Sequence, residues 1–369
     1  MRLLQKECGK CLRHPFLWIV CITLGLFQFL SIYTYVGNAG MRKELRQMHV
    51  AVTDEETASP EYESAYADYK KTYGGMYDTL DMRKILEQKE KKSGYEPQGV
   101  WGSWIVRNYD RLQKRVEQIR KTGEGTYAFY PGSWYKLHST LYGKLWKKLI
   151  LQTAVLMILS MLYLMDYERI YKTQDLVLAT TTGKKMMEKK MLAGTLCGLF
   201  YAGLLTVFTL LVFFAAVPFQ NLWHVPVAAC MVAEPRLQMM YPFVTFWRLE
   251  QWRYLLLALV VLVGLLGIVA AVTAAVQLFL QNSYFSFAVL GLLFMGAYLL
   301  AYVQMGNVWD LIRELFNPTV LYATSGGWFM ENDLCLSFAG NEFAVLFCSG
   351  TAAVCLMAVG KRRYHRLEV

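Results

Sequence analysis

The chain has 369 residues and a net charge of +10, and 55% of its residues are hydrophobic. With its 27 Gly added, the apolar share exceeds the about 45–50% that is normal for soluble domains. This excludes a disordered chain, a collagen and a small disulfide scaffold, and it argues against a purely soluble enzyme. The apolar residues form six blocks without Asp, Glu, Lys, Arg or His, at 16–36, 149–165, 191–217, 254–280, 285–303 and 343–360. Each block has the length of a membrane-spanning helix.

The segment 1–15 predicts a short helix at the membrane surface. Its apolar face is formed by Leu4, Cys8, Cys11 and Leu12. Its basic residues lie around the remaining faces, at Arg2, Lys6, Lys10 and Arg13. This arrangement is typical of an interfacial amphipathic helix. The first span that follows is not a signal peptide, because it is too long and lacks a small-x-small cleavage site.

The segment 37–148 is large enough for a domain and predicts helices. Tyrosines recur at helical spacing and share one face, at Tyr62, Tyr66, Tyr69, Tyr73 and Tyr77. A second stripe has the same periodicity, at Ile105, Tyr109, Leu112, Val116 and Ile119. Two such stripes can bury against each other. The alternative is that the tyrosines form an aromatic platform for a ligand.

Lys and Arg in the short loops predict the orientation. With the N-terminus inside, the inner segments 1–15, 166–190, 281–284 and 361–369 carry 4, 6, 0 and 4 of them. The outer loops 218–253 and 304–342 carry 3 and 1, and long segments such as 37–148 cross largely regardless of charge. We therefore expect an all-α protein of the cell membrane with six transmembrane helices, both termini cytoplasmic, and a helical extracytoplasmic domain between helices 1 and 2.

Two of the loops between spans have patterns of their own. Only the residues 281–284 separate the fourth and fifth spans, which predicts a tight helical hairpin. In the last outer loop, 308–315 is amphipathic and Asn317-Pro318 ends it. This predicts a short helix that either lies on the surface or re-enters the membrane.

The cysteines are scattered and do not form a disulfide framework. Cys8 and Cys11 form a CxxC with His14 nearby, which leaves a metal or redox site as an alternative to packing. No second ligand pair accompanies them, so two small apolar residues one turn apart are the better interpretation. A disulfide between Cys230 and Cys335 in the outer loops stays open.

The absent motifs limit the function classes. An ionisable residue inside a span usually marks an ion site or proton relay, and the six blocks have none. The chain contains no Walker A sequence, no HExxH and no G-x-S-x-G, which argues against ATP binding and against the common hydrolases. We expect no cofactor, no metal and no nucleic-acid partner. Uphill transport would take its energy from another chain.

The inner loop 166–190 resembles a known family. The loop between the second and third spans of type 2 ABC exporter permeases has a Glu that opens a short helix, a Leu-rich turn, a Ser/Thr stretch, Gly-Arg and a Lys where the chain enters the membrane. The matching residues here are Glu168, Leu176, Leu178, Thr180, Gly183 and Lys190. Lys184 stands where Arg is usual, and the Gly expected soon after the Glu is missing.

The resemblance implies a coupling loop, braced by the N-terminal helix and seated in a groove of a separate ATPase subunit. Its predicted residues are Glu168, Asp175, Leu176, Leu178, Thr180, Gly183, Lys184 and Lys190. Six spans would form half of a pathway, so the implied partners are two ATPase chains, a second permease chain and membrane lipids. The uncharged spans suit a hydrophobic or amphipathic substrate. The alternative function is a membrane-anchored receptor or assembly factor that acts through 37–148.

Overall fold

The computed structural model describes residues 2–37, 77–93, 99–126, 137–173, 183–217, 222–231, 244–303, 308–331 and 338–367, and single positions at 64, 67, 71, 75 and 219. Within these ranges the chain is mostly helical, and its β-type pairings are two isolated bridges, Pro226 with Glu250 and Thr245 with Met330. This confirms the all-α class. The helices are α1 (Arg2–Leu12), α2 (Pro15–Val36), α3 (Met82–Ser93), α4 (Gly99–Thr122), α5 (Trp146–Met165), α6 (Tyr167–Ile170), α7 (Gly183–Ala216), α8 (Val227–Met231), α9 (Gln251–Leu280), α10 (Ser283–Ala301), α11 (Val308–Leu315), α12 (Thr319–Ala323) and α13 (Asn341–Leu367).

Six of these helices are long and apolar enough to cross a membrane, which makes the chain a multi-pass membrane protein. They are α2, α5, α7, α9, α10 and α13, in the order of the six predicted blocks. Two of them begin earlier than the hydropathy pattern predicts. A π-helical turn, Ser139–Leu145, leads directly into α5, and α7 begins at Gly183. The charged residues in these first turns therefore belong to the long helices.

The bundle is organised around α5, which packs against α2, α7, α9 and α10. Its contact with α7 is close because α7 presents glycines. A Cβ added to Gly194 would lie 3.1 Å from the Cα of Met161, and one added to Gly198 would lie 3.1 Å from the Cα of Met157. The small-xxx-small pattern of α7 therefore serves packing inside the chain.

The segment 281–284 forms the predicted tight connection between α9 and α10. Gln281 adopts a left-handed conformation with φ 52° and closes α9. The side chain of Asn282 accepts a hydrogen bond from the backbone N–H of Phe285 at 3.1 Å and caps α10. Asn at an N-cap satisfies one of the free N–H groups of the first turn. Beyond this turn, α9 packs mainly along α13.

The connections lie at two opposite ends of the bundle. At one end, which we call the α1 end, α1 lies beside the end of α5 and the start of α7, and Lys361 of α13 pairs with Glu188 of α7. At the other, the α4 end, α3 and α4 pack against the segment around Ala228 and Val244. The first helix and the end of α13 thus share one end of the bundle.

The small unit at the α4 end confirms the second predicted stripe. Its five residues are buried, at Ile105, Tyr109, Leu112, Val116 and Ile119. They pack with Tyr77, Met82 and Ile85. Of the predicted tyrosine stripe, Tyr77 lies in a turn, and its hydroxyl donates to the carbonyl of Ala228 at 3.2 Å. Tyr62, Tyr66, Tyr69 and Tyr73 lie outside the described residues, and so does Cys335.

The segment 308–323 forms the predicted short helix and a second one. After α11, the Asn317 side chain accepts from the backbone N–H of Thr319 at 3.1 Å and donates to the carbonyl of Ala297 at 2.8 Å. These bonds end the helix and tie it to α10. Arg313 donates to the carbonyl of Leu300 at 3.0 Å, which strengthens the same contact.

Candidate functional site

The loop that follows α5 begins with the short helix α6. Asp166 interrupts α5 with a φ of −101°, and α6 then runs from Tyr167 to Ile170. The backbone N–H of Thr173 returns to the carbonyl of Glu168 at 2.8 Å. This tight turn directs the side chain of Glu168 inwards, and only 5% of the residue is exposed.

Glu168 is at the centre of a group of four charged residues, which we call the Glu168 cluster: Glu7, Lys10, Glu168 and Lys190. Glu168 Oε2 pairs with Lys190 Nζ, and Glu168 Oε1 lies 3.3 Å from Lys10 Nζ. Lys10 Nζ also lies 2.7 Å from Glu7 Oε1. The members come from α1, α6 and the first turns of α7, so the cluster joins three elements that are distant in sequence.

The charges of the cluster are balanced and mostly removed from water. Two carboxylates face two ammonium groups, and Glu7, Glu168 and Lys190 are buried. A buried ion pair contributes little net stability, but removing one partner leaves an uncompensated charge and costs about 3–5 kcal/mol. Lys10 also lies 4.4 Å from the centroid of the Tyr167 ring, a cation–π contact that adds to the joint between α1 and α6. The arrangement favours one fixed geometry of the joint.

The apolar face of α1 packs on α7. Cys11 is buried, and Cys197 Sγ lies 3.8 Å from the carbonyl of Cys8. Burial raises the pKa of the Cys8 thiol to about 11, which keeps it protonated and poorly reactive near neutral pH. Within the described residues, no group of three His, Cys, Asp or Glu could hold a metal ion. The CxxC acts as a packing surface.

The structure brings together two of the predicted coupling residues, Glu168 and Lys190. Gly183 and Lys184 begin α7, without described side chains, and the remaining four lie outside the described residues: Asp175, Leu176, Leu178 and Thr180. Sequence reasoning expected Glu168 to offer its carboxylate to a partner protein, whereas the structure pairs it within the chain. It also missed Glu7 and Lys10, although their spacing of three residues on a predicted helix is a known signal for an ion pair.

The outer surface of the α6 turn has a different character. Ile170 and Tyr171 are exposed, and Lys172 adopts a left-handed conformation with φ 56°. Such a φ is uncommon for a non-glycine residue. The turn thus presents two large apolar side chains to the outside, whereas Glu168 at its base is paired within the chain.

Comparison with models of protein families, with curated proteins and with solved structures found no match to the chain.

Proposed function

We propose that the chain is the membrane subunit of an ABC-type exporter, driven by a separate ATPase subunit that binds at the α1 end. The observation that carries the proposal is the Glu168 cluster. A loop that receives the motion of a partner needs a stiff connection to the membrane helices. Glu168 connects α6 to α7 through a buried ion pair with Lys190 and to α1 through a half-buried one with Lys10. The loop's resemblance to coupling loops supports the same role.

In this proposal the exposed turn of α6 is the contact with the ATPase. Ile170 and Tyr171 are large apolar side chains on the surface, and such side chains are typical anchors when they fill a pocket of a partner. Glu168 then acts behind the contact, because it holds the turn against α1 and α7. Motion imposed on the turn reaches α7 through Lys190 and α5 through Asp166.

The orientation belongs to the proposal. The α1 end lies in the cytoplasm and the α4 end outside the cell membrane, because the basic residues of the short loops concentrate at the α1 end. Two copies of the chain, or this chain and a related one, form the pathway, and two ATPase chains supply the energy. The substrate is hydrophobic or amphipathic.

The test is recovery of an ATPase with the full chain purified in mild detergent from its own cell. We expect the wild-type chain to retain one, and the Ile170→Ala/Tyr171→Ala variant to lose most of it because its anchors are gone. The matched control is Tyr284→Ala, at the same end of the bundle and 91% exposed, which should retain the ATPase. If the wild-type chain recovers no ATPase, the exporter proposal fails and the receptor interpretation takes its place.

A further inference from the structure

Three lysines lie in the first turns of the α5 span, at the α4 end of the bundle. We call Lys144, Lys147 and Lys148 the Lys148 cluster. The candidate span that contains α5 starts at Ser139, so these residues belong to it, whereas hydropathy placed them before the span. Among the residues that the structure describes, no Asp or Glu forms an ion pair with any of the three.

On one side, Lys148 reaches α2. Its Nζ donates to Ser31 Oγ at 3.1 Å, and it lies 5.4 Å from the Phe27 ring and 4.9 Å from the Tyr35 ring. Lys144 Nζ lies 5.2 Å from the same Tyr35 ring. Ser31 is more than one turn before the end of α2 at Val36. At 1.5 Å per residue the ammonium of Lys148 is about 7 Å inside the end of that helix.

On the other side, Lys147 reaches α10 and α12. Its Nζ lies 5.2 Å from the Tyr322 ring and 6.0 Å from the Tyr298 ring. The hydroxyls of Tyr298 and Tyr302 are 2.9 Å apart. The lysines thus have aromatic faces on both sides and phenolic hydroxyls nearby, which can donate hydrogen bonds to an anion.

Below the lysines, the same face of α5 is apolar and only partly covered. Leu151 is exposed, and Val155 and Ile158 are half-buried. Along the flanking helices, Phe27 of α2 and Leu293 of α10 are also exposed. The face therefore has positive charge at the α4 end and an apolar surface that continues towards the middle of the bundle.

Within the described part of the chain the three lysines face no carboxylate, and a cation inside a span without a counter-ion is costly. Such residues mark sites where charge is bound or moved. Cation–π contacts recover only part of that cost. A second copy of the chain is a poor occupant, because an isologous contact would place these lysines against each other. An anionic group joined to an apolar tail satisfies both halves of the face.

We infer that this face of α5 binds an anionic amphiphile, with its phosphate-type head on the Lys148 cluster and its tail along Leu151 and Val155. Only one part of the inference rests on the proposed function: that the bound amphiphile is the substrate of the exporter. Binding itself requires no ATPase.

The experiment measures binding of decyl phosphate and of zwitterionic decylphosphocholine by calorimetry, with the full chain in phosphatidylcholine nanodiscs and empty discs subtracted. We expect decyl phosphate to bind at least tenfold more tightly. Lys144→Gln/Lys147→Gln/Lys148→Gln should remove this preference. The matched control, Lys84→Gln/Lys114→Gln/Lys121→Gln, removes the same charge from α3 and α4 and should retain it. If the first triple variant does not fold, single Lys→Gln variants carry the test, each with a roughly fivefold loss.

Equal affinity of the wild-type chain for the two probes overturns the inference, and so does a preference that survives loss of the three lysines. Inorganic phosphate at the same concentration should not displace decyl phosphate. Full displacement would show that the apolar tail does not contribute to binding, and it would overturn the inference of an amphiphile site. If the wild-type chain prefers decyl phosphate but no ATPase is recovered with it in detergent, the binding site is supported and the exporter proposal is refuted. An ATPase recovered without the preference would end this inference alone.

Discussion

Replacing Glu168 by Gln tests the joint between α1, α6 and α7. The change keeps the shape of the side chain and removes its charge, so Lys190 stays buried, with 5% of its surface exposed, opposite a neutral amide. Breaking a buried ion pair in this way costs about 3–5 kcal/mol. Lys10 loses less, because it keeps Glu7 at 2.7 Å and its side chain is 25% exposed. We therefore expect a loss of about 3–5 kcal/mol in the free energy of unfolding.

The matched control is Glu188→Gln, which breaks another ion pair of α7 at the same end of the bundle. Its partner is Lys361, and the two side chains are 50% and 38% exposed. Exposed pairs contribute about 0–1 kcal/mol. The contrast between the two variants isolates the effect of burial, because each removes one carboxylate that faces a lysine of another helix.

The measurement is denaturant unfolding of the full chain in detergent micelles, followed by the fluorescence of its 10 Trp. Glu168→Met/Lys190→Met completes a double-mutant cycle with the two single Met variants. We expect the double variant to be more stable than either single one, with a coupling of about 1–3 kcal/mol. Two results would refute a stabilising role of the buried pair Glu168–Lys190: a loss of unfolding free energy in Glu168→Gln no larger than that in Glu188→Gln, or a coupling energy near zero.

Three further predictions concern other parts of the fold. Burial between Tyr142 and Tyr254 lowers the pKa of His138 to about 3, below the about 6.5 of an unfolded chain. The folded state therefore loses stability as the pH falls below about 6.5. Between pH 7 and pH 5 the free energy of unfolding of the wild-type chain should fall by about 2 kcal/mol more than that of His138→Gln, measured by denaturant unfolding. Equal losses would contradict the burial of His138. Gly198→Ala places a Cβ 3.1 Å from the Cα of Met157 and should lower the stability in thermal unfolding by about 1–3 kcal/mol. In the control Gly203→Ala the new Cβ has no atom within 4 Å, so this change should be neutral or stabilising. If Gly198→Ala changes only the oligomeric state, the contact lies between chains. Leu112 is 1% exposed in the unit at the α4 end, so Leu112→Asp buries an unpaired charge and should lower the free energy of unfolding of the full chain by about 4 kcal/mol or more. The control Val106→Asp, on the exposed side of α4, should cost far less. Similar losses for the two variants would argue against the buried position of Leu112.

The sequence by itself determined the features that depend on local composition. Six uncharged blocks were enough to predict six spanning helices, because a bilayer demands about 20 apolar residues in a row wherever they occur. The spacing of Ile105, Leu112 and Ile119 predicted the buried face of α4, because helical periodicity repeats every 3.6 residues. The turn at 281–284 followed in the same way from its length.

Tertiary structure alone decided which charged groups meet. Hydropathy placed the start of the second span at Leu149, because it counts the preceding lysines as loop residues. In the structure a π-helical turn continues the helix to Ser139, and aromatic rings of α2, α10 and α12 accommodate the three ammonium groups. That accommodation depends on neighbours that are far away in sequence.

The Glu168 cluster has the same physical origin. Sequence reasoning singled out Glu168 and Lys190 by resemblance, and it assigned the carboxylate to a partner protein. Only packing brings Lys10, 158 residues before Glu168, to within 3.3 Å of it. Ion pairs between residues distant in sequence depend on how the helices pack against each other. The order of α1, α6 and α7 along the chain does not determine that packing, so the sequence alone could not predict these pairs.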